Sequence, residues 1–190
     1  MLYGGGVLHT VTFGIADIYN LRGINIAALL LRVILGITMI AHGYNHIWGG
    51  GKIAGTAGWF ESMGLKPGIL HAWLASLTEV GAGVLLIAGL LTPLAAAGVV
   101  GTMTVALITN HIKNGFFIFR PGEGYEYVAS LIMSGLALGA TGPGQWSLDH
   151  ALNFDWVSGY RSFAITAVVG LGGAFLLLLV FWRPEKKPAA

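Results

Sequence analysis

Five runs of apolar residues, none showing period-two alternation, organise this chain. They cover Ile24–Ile47 (INIAALLLRVILGITMIAHGYNHI), Ile69–Leu91, Pro93–His111, Tyr125–Ala140 and Phe163–Trp182. A helix rises 1.5 Å per residue, so about 17–25 residues cross a ~30 Å hydrocarbon layer, and the fourth run is the marginal one. Without alternation, a barrel of many short amphipathic strands is excluded. The pattern predicts an all-α polytopic membrane bundle. Thr92-Pro93 is nearly all that separates the second run from the third, which makes those helices antiparallel neighbours; Pro93 suits a first helical turn. The longer linkers GGGKIAGTAGWFESMGLKPG and KNGFFIFRPGEG carry glycine, proline and aromatics of the kind that favours the membrane interface.

Composition supports lipid as the outer solvent. The chain is 55% hydrophobic and only 9% charged, with mean hydropathy +0.76, whereas a water-soluble domain carries about a quarter charged residues. Net charge is +2 and the basic residues form no stripe, so nucleic acid is not an expected partner. There is no cysteine, which removes thiolate, disulfide, Fe–S and Cys-type zinc chemistry. The opening residues lack the basic and apolar regions of a secretory signal. Lys52, Lys66, Lys113, Arg120, Arg183, Lys186 and Lys187 fall on one side of the predicted spans, and Arg22 and Arg161 on the other. That asymmetry predicts a plasma-membrane protein with its C-terminus cytoplasmic and its N-terminus outside.

Two ionisable residues lie deep in the spans. Either Arg32 or Glu79 costs about 2.5–3.5 kcal/mol at mid-bilayer, so each should face inward and find a partner. Arg32 lies ~12 Å from the outer start of the first helix and Glu79 ~18 Å from the outer end of the second. An arginine side chain closes the ~6 Å difference, which predicts an Arg32–Glu79 pair. Arg32, Gly36, Met39, Gly43 and His46 share one face of the first helix. On the second, Ala72, Ser76, Glu79 and Gly83 form a small-residue stripe that permits close approach. Such a pair either orients the bundle or handles a proton or ligand.

His42, Tyr44, Asn45 and His46 end the first span, while Asn110 and His111 end the third, at one common depth. They are expected to line one polar pocket roofed by the aromatic linkers, or else to cap helix ends and bond headgroups. His42 and His46 are four apart, a usable relay spacing. No HExxH motif or cysteine completes a metal set, so no metal is expected. Haem would need facing histidines such as His42 and His111 and is not favoured, because spacing alone is weak evidence for it. Ser130, Ser134, Gly135 and Gly139, and likewise Gly170, Gly172 and Gly173, read as helix-packing surfaces. GGGK is not a phosphate loop.

The succession RVILGITMIAHGYNHIWGGGKIAG, WFESMGLKPG, LTEVGAGVLLIAGLLTPLAA, NHIKNGFF, GEGYEY and GPGQWSLDHAL resembles the DoxX family of bacterial membrane proteins over Leu31–Leu152. The resemblance implies a four-helix transmembrane core (residues 24–152). A 1–23 extension would precede it, and a linker, fifth helix and basic tail (153–190) would follow. Its recurring features map onto Arg32, His42-Gly43, Trp59-Phe60, Gly64, Glu79, Gly89-Leu90-Leu91-Thr92, Asn114-Gly115-Phe116, Gly142-Pro143-Gly144 and Asp149. Where many members carry lysine, this chain has the titratable His46. The resemblance further implies a link to thiosulfate–quinone oxidoreduction and to complexes handling oxidative or thiol stress. Without cysteine, the chain would act as a quinone-binding or accessory subunit of a redox-enzyme partner, rather than as an independent oxidoreductase. A non-catalytic scaffold and, less favoured, a small-solute or proton carrier are the alternatives; a carrier would be expected to show broken spans or an inverted repeat. A homo-oligomer is compatible with all three.

Overall fold

A computed structural model describes residues 15–154 and 159–184. The elements are α1 (Ile15–Trp48), α2 (Lys52–Ser62), α3 (Gly68–Ala88), α4 (Thr92–Ala106), α5 (Glu126–Thr141), α6 (Leu148–Ala151) and α7 (Gly159–Phe181). Among the described residues the chain is helical, apart from one isolated bridge between Leu65 and Trp182. Four segments are long and apolar enough to span: Leu21–Trp48, Gly68–Ala88, Thr92–Asn114 and Gly159–Phe181. The protein is thus a multi-pass membrane bundle. At 16 residues α5 is shorter, yet it runs between both ends of the bundle, from the neighbourhood of His111 to that of Ala28.

The expected boundaries hold for the second to fifth runs within a few residues. The first helix begins at Ile15 rather than Ile24, and the linker after it folds into α2 instead of staying a loop. The proposed tail residues Lys186 and Lys187, and most of the 1–23 extension, lie outside the described residues.

α4 is the central helix, packed between α3, α5 and α7. Over half of its apolar window is buried (56%), against 22% for α7. Its Ala95, Ala96, Val99 and Val100 meet Leu35 and Met39 of α1, Leu86 of α3, and Leu131 and Leu138 of α5 in the main core. Large apolar residues such as Leu30, Ile34, Leu77, Val168 and Leu179 point outward, as lipid contact requires.

In lipid, association rests on van der Waals packing, so small residues decide which helices touch. α1 and α3 meet along the expected stripe. A Cβ on Gly36 would lie 2.7 Å from the Gly83 carbonyl, and one on Gly43 would lie 2.8 Å from that of Ser76. Gly135 and Gly139 of α5 likewise seat against Val100 and Thr166. Ser130 does not join that surface: it is exposed and bonds back to the Glu126 carbonyl.

Candidate functional site

The α1–α3 crossing sets the depth of every charged group. Because Gly36 meets Gly83 and Gly43 meets Ser76 and Glu79, Arg32 is level with Gly89, not with Glu79. The ten residues from Glu79 to Gly89 span ~15 Å of helix. The expected Arg32–Glu79 pair is therefore not made. Counting depth from Ile24 assumed that α1 starts level with the end of α3, whereas its earlier start carries Arg32 toward the α3–α4 turn.

Arg32 is fully buried there. It donates through Nη2 to the Trp146 carbonyl, packs Nη1 against Gly89 and lies within electrostatic reach of Asp149. Asp149 is also fully buried, and its carboxylate accepts from Leu91 N–H (2.7 Å) and Thr92 N–H (2.9 Å). It thus satisfies two donors at the α4 start that a helix cannot satisfy itself. Gly89 and Leu91 are left-handed (φ 66° and 50°), which turns the chain tightly enough for this cap. Its own N–H donates to the Gly89 carbonyl at 2.8 Å. Residues Gly142–Leu152 thus tie the arginine end shut.

Glu79 finds a different partner. Its Oε2 lies 3.1 Å from His46 Nδ1, with the side chains 5% and 14% exposed. The contact lacks hydrogen-bond geometry, and both atoms are buried without a hydrogen-bond partner. Phe60 of α2 stands edge-on to the His46 ring at 5.9 Å and holds it toward α3.

α4 ends in a π-turn, Leu107–His111, in which the N–H of Ile112 bonds the Leu107 carbonyl. Such wide turns recur at functional sites because they re-aim side chains. Here the turn delivers Asn110 and His111 to the cavity. His111 Nδ1 donates to the Glu123 carbonyl (2.9 Å), and its Nε2 sits 3.4 Å from the Asn110 amide nitrogen. Both ring nitrogens are engaged, so His111 anchors the α4–α5 loop. Asn114 adds bonds to the Asn110 and Gly122 carbonyls.

His42, His46, Glu79, Asn110 and His111 all line one cavity of about 560 Å³, together with Trp59, Phe60 and Tyr127. The His42 ring stacks with Tyr127 at 6.5 Å. Two expected members are elsewhere. Tyr44 is 58% exposed and rests on Trp48, and Asn45 is exposed beside Gly49. They occupy the outer face of α1, 100° per residue away from His46.

One member was not anticipated. His71, in the first turn of α3, is 3% exposed and lines the cavity with Nε2 unpartnered. Its ring meets Phe181 edge-on at 5.0 Å. The available signal was a histidine inside an apolar run, eight residues before Glu79. Among the described residues, no three His, Asp or Glu side chains converge as a metal set. The cavity instead offers one acid–imidazole pair and one deep imidazole in an apolar shell, a setting able to hydrogen-bond or exchange protons with a small ring compound.

Most of the recurring motifs noted in the sequence fall into these same two places, while Gly64 packs against Pro184 and Asn114-Gly115-Phe116 lies in the α4–α5 connection. Arg32, Gly89–Thr92, Gly142–Gly144 and Asp149 gather at the arginine end, and His42, Trp59-Phe60 and Glu79 at the cavity. Residues 27–112 match the DoxX family. The chain is 31% identical to "Inner membrane protein YqjF" of Escherichia coli over 136 residues, covering 70% of this chain and 96% of that protein. It is 25% identical to "Uncharacterized membrane protein Rv3486" of Mycobacterium tuberculosis over 135 residues, 67% of this chain and 82% of that one. No solved structure matches. On that coverage and likeness, the chain belongs to the DoxX family of membrane proteins.

Proposed function

We propose that this protein is a ligand-binding membrane component of a redox-linked assembly, holding a ring compound of the quinone class in the cavity between α1, α3, α4 and α7. One observation carries the reading: Glu79 Oε2 and His71 Nε2 are buried in an apolar cavity without hydrogen-bond partners. A buried polar atom left unmatched costs about 1–3 kcal/mol, and of the seven such atoms among the described residues only those of His46, His71 and Glu79 belong to residues lining the cavity, where a ligand can complete them. A carboxylate oxygen accepts, and His71 Nε2 accepts in the tautomer that carries its proton on Nδ1. Two acceptors suit the hydroxyls of a hydroquinone. His46 then stands beside Glu79 as the group that exchanges protons with the ring. With no cysteine in the chain, thiol chemistry belongs to a partner enzyme. The basic residues Lys52, Lys66, Lys113, Arg120 and Arg183 at this end support a cytoplasmic mouth.

The test is titration of nanodisc-embedded protein with benzoquinol, read by tryptophan quenching. Glu79→Gln, which replaces one carboxylate oxygen by an amide NH2 donor and removes the charge, is expected to weaken binding about tenfold, while the lipid-facing Tyr44→Phe leaves it unchanged. Equal affinity in Glu79→Gln and wild type removes the reading.

A scaffold role has one specific observation in its favour. Phe116, Phe117, Ile118 and Phe119 are exposed on the α4–α5 loop, Phe119 by 79%. Site-specific crosslinking from residue 119 to a soluble oxidoreductase, unaffected by Glu79→Gln, would select that reading instead.

A further inference from the structure

α3 and α7 both pack on α4 but barely on each other. Between them α4 forms the floor of a cleft: Leu94, Gly98, Gly101 and Val105 all line the cavity. Gly98 brings α3 close, its Cβ position 3.0 Å from Ala82, and Gly101 brings α7 close, 3.2 Å from the Gly170 carbonyl. From Leu94 to Val105 the cleft runs ~16 Å along the axis. Its rims are apolar and face the hydrocarbon: Leu74 is 46%, Leu94 43% and Val169 50% exposed. The cavity is therefore open sideways, and it holds Glu79 Oε2 and His71 Nε2, both without a hydrogen bond, the former 3.1 Å from His46 Nδ1.

The α7 glycines sharpen this. The sequence expectation made Gly170, Gly172 and Gly173 a packing surface. Gly170 is one, packed 2.9 Å from the Ala97 carbonyl, but a Cβ on Gly172 or Gly173 would meet nothing within 4 Å. A helix-interior glycine costs up to ~1 kcal/mol relative to alanine, and no neighbouring helix requires these two. Gly173 lines the cavity and Gly172 does not. The open space beside Gly173 is room in the cleft wall.

We propose that the ligand is a tailed lipid entering sideways from the bilayer between α3 and α7, its ring at Glu79 and His71 and its single chain along α4 past Gly173. The inference rests on the ring-binding reading above and adds the tail, the portal and the residue that selects them. The fifth helix then supplies a wall of the site. In lipid a tail gains little from leaving hydrocarbon, so preference comes from packing in the cleft and is moderate.

The experiment titrates nanodisc-embedded wild type, Gly173→Leu and Gly172→Leu with a decyl-chain benzoquinol and with the same ring lacking the chain. Tryptophan quenching is the readout, Trp59 lying in the cavity wall. Both substitutions raise helix propensity, and both sites have space, so folding is preserved. Comparing variants with one ligand cancels partition into the bilayer. Wild type is expected to bind the decyl compound about tenfold tighter than the tailless ring. Gly173→Leu should abolish that preference while keeping tailless affinity, and Gly172→Leu should behave as wild type. An unchanged tail preference in Gly173→Leu, or the same loss in Gly172→Leu, overturns the cleft and leaves the ring site standing. Failure of wild type to bind either compound overturns the ring site itself.

Discussion

Each end of this bundle buries a carboxylate within electrostatic reach of a basic side chain, and the two carboxylates end up in opposite conditions. At the arginine end, Asp149 uses both oxygens on the N–H groups of Leu91 and Thr92, and its backbone bonds Gly89 and Phe154. Arg32 Nη1 lies against Gly89, although it, Arg32 Nε and Thr92 Oγ1 are buried without hydrogen-bond partners. At the histidine end, the Glu79 carboxylate lies 3.1 Å from His46 Nδ1 without hydrogen-bond geometry and opens on a cavity. A buried acid that is fully bonded locks a turn; one that is under-bonded and next to space is available to a ligand. Charge and burial alone do not separate the two roles. The hydrogen bonds that each carboxylate accepts do: two at Asp149, none at Glu79 Oε2.

The contrast breaks most readily at Asp149. Asp149→Ala removes the acceptor of two buried N–H groups, each costing about 1–3 kcal/mol when left unmatched, and withdraws the carboxylate within electrostatic reach of Arg32. Thermal unfolding in detergent should show it as the most damaging of these changes. A variant that unfolds like wild type would mean that the arginine end is no lock.

A smaller effect is expected where the helices meet. Gly43→Leu drives a side chain into the Ser76 carbonyl and Val80, each 2.8 Å from the Cβ position, at a cost of about 1–3 kcal/mol. Because the same contact seats Glu79, ligand affinity should fall along with stability. Lowered stability with unchanged benzoquinol binding would uncouple the crossing from the cavity.

Least of all should unfolding respond to Glu79→Gln, within about 0.5 kcal/mol of wild type, because no well-formed bond is lost and a charge leaves a buried site. Measured beside Asp149→Ala, it gives the comparison its sharpest form. Equal destabilisation by the two would make both acids structural.

Much of this arrangement was legible along the chain. The apolar runs located the spans to within a few residues, except at the start of α1. The stripe Gly36, Gly43, Ser76 and Gly83 correctly identified which faces of α1 and α3 touch, because one 3.6-residue period governs both. His42, His46, Asn110 and His111 were rightly grouped by depth. Three things were hidden. Tyr44 and Asn45 share that depth but not the direction. The π-turn that presents Asn110 and His111 carries no composition signal. The vacancy beside Gly173 is indistinguishable in sequence from the packing glycine at 170.

By itself the sequence determined the solvent, the helices and the small-residue seam between the first two spans, since hydropathy and periodicity are summed over neighbours in the chain. Which acid meets which base was decided only in three dimensions. That pairing depends on where α1 begins and on the return of residues 142–152 over the α3–α4 turn, and both are matters of axial register between segments far apart in sequence. Register also chose which atoms went unsatisfied, and so where a ligand has something left to bind.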